Sequence, residues 1–268
     1  MKTPLIKVSD LCARYSRNGS AGTNVLRSVS FSVMEGEVLV VLGPNGSGKS
    51  TLLHALVGEL DGTVSGEIEV LGQSALHQPW HQRARNIAMV HQDPSRGTAA
   101  HLTLREHCDL TTTTPGRSSV TWEQVALSFK SLGTSLHPRQ PAGELSGGQR
   151  QLFTLLLAVL SAPKILLLDE PTAALDTRHA ELALRVVEEF SRPETATIMV
   201  THDLSEAKRI GNRLLILNAS GEVHAFYEET AKMALDEWEL RRILANASVS
   251  AWTQRLEKVE LQRENRLE

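Results

Sequence analysis

The residues Gly43-Pro44-Asn45-Gly46-Ser47-Gly48-Lys49-Ser50-Thr51 follow the G-x-x-x-x-G-K-[ST] pattern of a loop that grips phosphate. Glycines let successive backbone N–H groups turn inward around phosphate oxygens, and a helix beginning there adds partial positive charge. In such a loop Lys49 would reach the β- and γ-phosphates and the Ser50 hydroxyl would ligate Mg²⁺. A second chemical pair, Asp169-Glu170, ends the apolar run Ile165–Leu168. Alternation along a strand sends neighbouring side chains in different directions. Asp169 would then orient Mg²⁺ or its waters while Glu170 faces the γ-phosphate and polarises an attacking water as a general base. Alone, such an acidic pair could simply cap the next helix. A third element, Leu145-Ser146-Gly147-Gly148-Gln149, opens a helix with Ser146 at the N-cap position and two glycines that let N–H groups approach an anion. A capped helix after a loop would read the same way, but a chain already holding one phosphate loop makes the anion-binding reading the stronger.

These groups need elements to hold them. Val38–Leu42 is apolar at every position, as expected of a strand buried on both faces of a parallel sheet. Ile87–Val90, Ile165–Leu168, Thr197–Val200 and Leu214–Leu217 are similar runs separated by helical or loop sequence, which implies an open, mostly parallel α/β sheet. Upstream, Leu5–Leu11, Ser28–Val33 and Glu67–Leu71 read as short strands, with turn chemistry at Asn18-Gly19 and Glu35-Gly36-Glu37. Residues 95–160 read as a helical insertion, with helices at Trp122–Leu132 and Gln149–Leu160 and a polar break at 111–119. Past Gly221 the chain is rich in Glu, Arg and Leu, with candidate helices at Glu228–Leu244 and Ala251–Leu267.

The 268 residues suffice for a large core, and 28 Lys plus Arg against 31 Asp plus Glu leave a net charge of −3. That balance offers no basic field for nucleic acid or an anionic membrane, so no nucleic-acid partner is expected. Cys12 and Cys108 stand far apart without metal-ligand spacing, which points to a reducing compartment. Apolar stretches such as Leu152–Leu160 fall short of the roughly 20 residues that cross a bilayer. The start, MKTPLIKVSD, reaches Asp10 before an apolar segment develops, so no secretory signal is expected.

Taken together, these motifs resemble the nucleotide-binding subunit of an ABC transporter over residues 3–230. The phosphate loop, Gln92 after its strand, LSGGQ at 145–149, ILLLDEPT at 165–172, Ala174-Leu175-Asp176 and His202 stand in family order and spacing. The resemblance implies a RecA-like P-loop core with an antiparallel β subdomain and a helical subdomain at about 95–160, followed by a helical tail at 231–268. It implies that Tyr15 stacks on adenine and that Gln92 touches Mg²⁺ and the attacking water. It also implies that His202 contacts the γ-phosphate and that Asp176 communicates across a dimer interface. Ser146, Gly147, Gly148 and Gln149 would complete the ATP site of a second subunit, so that two copies, or a copy and a paralogue, enclose two Mg²⁺-ATP. No catalytic position departs from the pattern, so ATP hydrolysis is expected.

Soluble members that act on nucleic acid insert coiled coils or zinc modules between phosphate loop and signature, and this chain carries neither. The expectation is therefore a cytoplasmic subunit, peripheral on the cell membrane through permease subunits, with a substrate-binding protein as a further partner. The segment Gln92–Glu106 resembles the ATPases of bacterial importers of small solutes, some linked to aromatic amino acids. A split exporter and a non-transport ATPase of a nucleic-acid or ribosomal machine stand as the alternatives. The tail reads either as an amphipathic segment packed on the core or as a regulatory or dimer contact.

Overall fold

The computed structural model describes residues 3–17, 20–173, 175–190, 193–228 and 235–248. Strands β1 (Ile6–Arg17) and β2 (Ser20–Val33) form a long antiparallel hairpin, and β3 (Val38–Leu42) leads into the phosphate loop and helix α1 (Lys49–Val57). Strands β4 (Gly62–Val70) and β5 (Gln73–Ser74) complete a four-stranded antiparallel sheet in the order β2-β1-β4-β5. Next come a short α2 (Trp80–Arg83), β6 (Ile87–Val90), α3 (Leu104–Thr111), α4 (Trp122–Ser131) and α5 (Gly147–Leu160). Strand β7 (Ile165–Asp169), α6 (Thr177–Phe190), β8 (Ala196–Val200), α7 (Leu204–Ile210), β9 (Arg213–Leu217) and β10 (Val223–Tyr227) follow, and a last helix, α8, spans 237–248.

The second sheet runs β10-β9-β3-β8-β7-β6, parallel throughout except for the antiparallel edge strand β10. Its strands feed two separate apolar clusters by simple alternation. Leu39, Val41, Ile165, Leu167, Leu215 and Leu217 pack on the side of α1 and the antiparallel sheet. Val40, Leu42, Leu166, Leu168, Leu214 and Ile216 pack on the side of α3–α8. That double burial explains why these strands lack polar positions, and it holds the carboxyl ends of β3 and β7 side by side with only β8 between them.

Helix starts are set by local chemistry. Thr103, Thr121 and Ser146 each accept a hydrogen bond from the backbone of the third helical residue, and Glu106, Gln124 and Gln149 return one to the cap, three complete capping boxes. Thr103→Ala should therefore lower stability by about 1 kcal/mol, seen as a fall of about 2 °C in the thermal midpoint; an unchanged midpoint would show that α3 is held by packing alone.

Several expectations are corrected. The first two strands extend well beyond 5–11 and 28–33, because Cys12–Tyr15 pairs with Gly62–Ser65 although its sequence does not alternate. The 67–71 strand begins at Gly62 for the same reason. Val223–Tyr227, to which the sequence reading assigns no element, forms the edge strand β10 and pairs with Leu214–Leu217. The helix expected at 228–244 starts after Asp236, which exchanges hydrogen bonds with Glu239, and Leu240 and Ala247 bury against the core. The Asn18-Gly19 turn and the helix expected at 251–267 lie outside the described residues.

Candidate functional site

The phosphate loop follows β3 and wraps onto α1, which starts at Gly48 with φ of 93°. A side chain at Gly48 would be strained by that backbone, and a Cβ there would sit 2.6 Å from Leu26 Cδ2, so only glycine closes the loop against the hairpin. Lys49 Nζ donates to the carbonyls of Gly43 at 2.9 Å and Pro44 at 3.2 Å, which folds the ammonium across the loop. Burial pulls the Lys49 pKa below the ordinary lysine value, against the opposing pull of Glu170 and Asp169.

Strand β7 carries its terminal carboxylates to the same place. Asp169 is only 5% exposed and accepts a hydrogen bond from Ser50 Oγ at 2.9 Å. Burial pushes its pKa up, and the Ser50 bond works against that rise. Glu170 leaves the strand with φ of 45°, in the left-handed region, while its N–H is fixed on the Val200 carbonyl at 3.0 Å. This conformation is uncommon for a residue with a side chain and costs on the order of 1 kcal/mol. It turns Glu170 toward Gln92, whose Nε2 donates to Glu170 Oε2 at 3.3 Å, and toward His202, whose Nδ1 lies 3.5 Å from the same oxygen. The different directions expected of the two carboxylates are present, with the twist at Glu170 adding to simple alternation.

A cleft of about 580 Å³ joins these groups, lined by Tyr15, Val25, Asn45, Gly46, Gly48, Lys49, Ser50, Thr51, Gln92 and Glu170. Tyr15 stands at its mouth, 42% exposed, with its hydroxyl 3.2 Å from Thr51 Oγ1. An aromatic ring presented in this way offers a flat face beside the phosphate loop, in which Ser47 N–H donates to the Pro44 carbonyl at 3.1 Å. Gly43 and Pro44 turn their carbonyls to Lys49, and Ser47 is fully buried with an unpartnered hydroxyl. His202 lines a neighbouring groove of about 490 Å³ with Leu204, Glu237, Arg241 and Leu244, which brings α8 beside it.

The hard oxygen donors Ser50 and Asp169, bonded to each other at the cleft floor, with the Gln92 amide nearby, suit a Mg²⁺ ion, which prefers oxygen ligands and keeps some of its waters. Two supports were invisible in the sequence. His54, one turn along α1 from Ser50, stacks on His91 with ring centroids 5.8 Å apart, and the His91 carbonyl accepts from Gln151 Nε2 of α5 at 3.2 Å. Val25, in the cleft wall, belongs to β2 and carries no motif signal. Ser146, Gly147, Gly148 and Gln149 open α5 and do not line the cleft, and Asp176 caps α6, accepting from the His179 N–H at 3.0 Å.

The sequence profile of the ABC transporter family matches residues 26–173. Among solved structures, an ATP binding subunit of an ABC transporter is 26% identical, with a TM-score of 0.72 over 94% of this chain and 99% of that one. A dimeric ATP-binding cassette in a post-hydrolysis state with ADP and Pi bound is 25% identical, with a TM-score of 0.70 over 84% of this chain and 98% of that one. With its buried strand, phosphate loop, signature helix and paired carboxylates in that order, the chain belongs to the ABC transporter family, as one of its ATP-binding, ATP-hydrolysing subunits.

Proposed function

We propose that this subunit binds Mg²⁺-ATP in the cleft between Tyr15 and Glu170 and energises a bacterial importer of a small solute, in the first instance an amino acid. The observation that carries the catalytic part is the convergence of Lys49, Ser50, Asp169, Gln92, Glu170 and His202 on one end of the parallel sheet. The adenine stacks on Tyr15, the loop N–H groups other than that of Ser47, which donates to the Pro44 carbonyl, take the phosphates, and Lys49 exchanges loop carbonyls for β- and γ-phosphate oxygens. Ser50 and Asp169, with Gln92, would hold Mg²⁺, which supplies charge neutralisation at the phosphates. Glu170 accepts a proton from water as its oxygen attacks the γ-phosphorus, the bond to the β-phosphate oxygen breaks, and ADP and phosphate result. Gln92 and His202 hold the carboxylate and the γ-phosphate in line.

The signature residues lie outside the cleft of their own chain, and by the family resemblance they act on a second subunit. Two cassettes enclose two ATP molecules, and loss of the γ-phosphate opens the pair. Among the described residues no helix is long and apolar enough to cross a membrane. By its resemblance to transporter subunits, the chain attaches peripherally through permease subunits on the cytoplasmic face, with a substrate-binding protein supplying the solute. The importer reading rests on the resemblance of Gln92–Glu106.

The test is capture. A tagged Glu170→Gln form, expressed in its native cell and recovered from gently solubilised membranes, should bring down a multi-span permease identifiable by mass spectrometry. Recovery of cytosolic or nucleic-acid machinery alone would overturn the transport reading, and uptake of labelled tryptophan or tyrosine unaffected by deletion would remove that solute class.

A further inference from the structure

His179, in the first turn of α6, has no place in the motifs above, yet it touches two of them. Its Nδ1 lies 2.7 Å from Asp176 Oδ2, while its backbone N–H donates to Asp176 Oδ1 at 3.0 Å. A carboxylate only accepts hydrogen bonds, so Nδ1 carries the proton. The backbone bond and then the ring bond from His179 hold the Asp176 carboxyl below its usual range, which keeps it an acceptor. The same ring also stands against the signature loop. A Cβ built on Gly148 would lie 2.6 Å from His179 Cγ, whereas one on Gly147 would meet nothing within 4 Å. Gly148 is thus backed by the imidazole, and its neighbour Gly147 faces open space.

The geometry points to His179 as a positioning residue that couples the carboxylate of Asp176 to the backbone of the signature loop at Gly148. The N–H groups of Gly147 and Gly148 belong to the first turn of α5, where backbone donors have no partner within the helix. They are the groups that an anion from a second subunit would meet. A movement of Asp176 would pass through a bond of 2.7 Å to a ring that leaves no room for a side chain at Gly148. The two elements of the chain that face a partner are thereby one unit: engagement of Asp176 changes how the signature N–H groups are presented. This inference rests on the two-cassette reading above.

Its test uses the full chain in the Glu170→Gln background, reading dimer formation against ATP concentration by light scattering, and binding of a fluorescent ATP analogue to the monomer. His179→Ala should raise the ATP needed for half-dimerisation by about 10-fold and leave the monomer's nucleotide affinity unchanged. Asp176→Ala should do the same, and the double variant should be no worse than either single one, as expected of residues acting together. His179→Phe fills the same space and keeps a ring on Gly148 without the bond to Asp176. It should match Asp176→Ala, and it carries the test if the alanine variant is poorly folded. Dimerisation of the His179 variants at the parent's ATP concentration, or losses that add in the double variant, would overturn the coupling. Failure of the Glu170→Gln parent itself to dimerise with ATP would instead overturn the two-cassette reading, and the coupling with it.

Discussion

Glu170→Gln should lower kcat for ATP hydrolysis by about 10³-fold, within the range for loss of a general base, while leaving the ATP concentration for half-saturation close to that of the parent. The replacement is isosteric and keeps an oxygen that can accept from Gln92 Nε2, so the hydrogen bond seen at 3.3 Å has a continuing partner. It removes the capacity to take a proton and, with it, the negative charge that faces Lys49 and His202. Asp169 cannot substitute, because it is buried and its oxygen is engaged by Ser50. Steady-state turnover and a nucleotide-binding titration on the same preparation separate the two effects. Near-normal turnover would show that the proton goes elsewhere and that Glu170 serves only to orient Gln92 and His202.

The second large effect is expected at Lys49. Replacement by Ala should weaken ATP binding by at least about 100-fold, because two charge-assisted contacts to phosphate are worth about 1.5–3 kcal/mol each. Stability should change little. In the folded chain Lys49 spends its hydrogen bonds on the carbonyls of Gly43 and Pro44, and its burial works against its charge. Loss of a partly desolvated cation offsets loss of those bonds. Lys49→Arg should not restore affinity, since the loop is built around a compact ammonium and the planar guanidinium needs more room. An affinity within tenfold of the parent in Lys49→Ala would mean that the loop N–H groups carry phosphate recognition alone.

Much of the molecule was legible because its strongest local signals and its tertiary structure agree. Val38–Leu42 is apolar at every position, and both of its faces are covered, by Leu39 and Val41 on one side and Val40 and Leu42 on the other. Ser146 reads as an N-cap and does cap α5, where the structure adds a reciprocal bond from Gln149 that completes a capping box. The antiparallel hairpin was legible only in part. Arg14 and Tyr15 are exposed strand residues held by pairing with Thr63 and Gly62, and nothing in their own pattern announces a strand. Edge strand β10 has partly buried residues on both faces, so it lacks the alternation that marks a half-exposed strand. At the site, residue types and spacing pointed to Lys49, Ser50, Asp169 and Glu170, and the family resemblance added Gln92 and His202; the structure brings all six to one end of the parallel sheet. Contacts that depend on two elements meeting, such as His54 on His91 and His179 on Gly148, leave no trace in either segment alone.

The left-handed backbone at Glu170 carries a consequence for anyone who would engineer this subunit. Glycine and asparagine occupy that conformation cheaply, and glutamate does not. Selection for heat resistance alone would therefore favour Asn at position 170 and enrich clones that melt later and no longer turn over. A thermostable library built on this scaffold needs an activity screen at every round, because one of its easiest gains lies at the carboxylate proposed to take the proton.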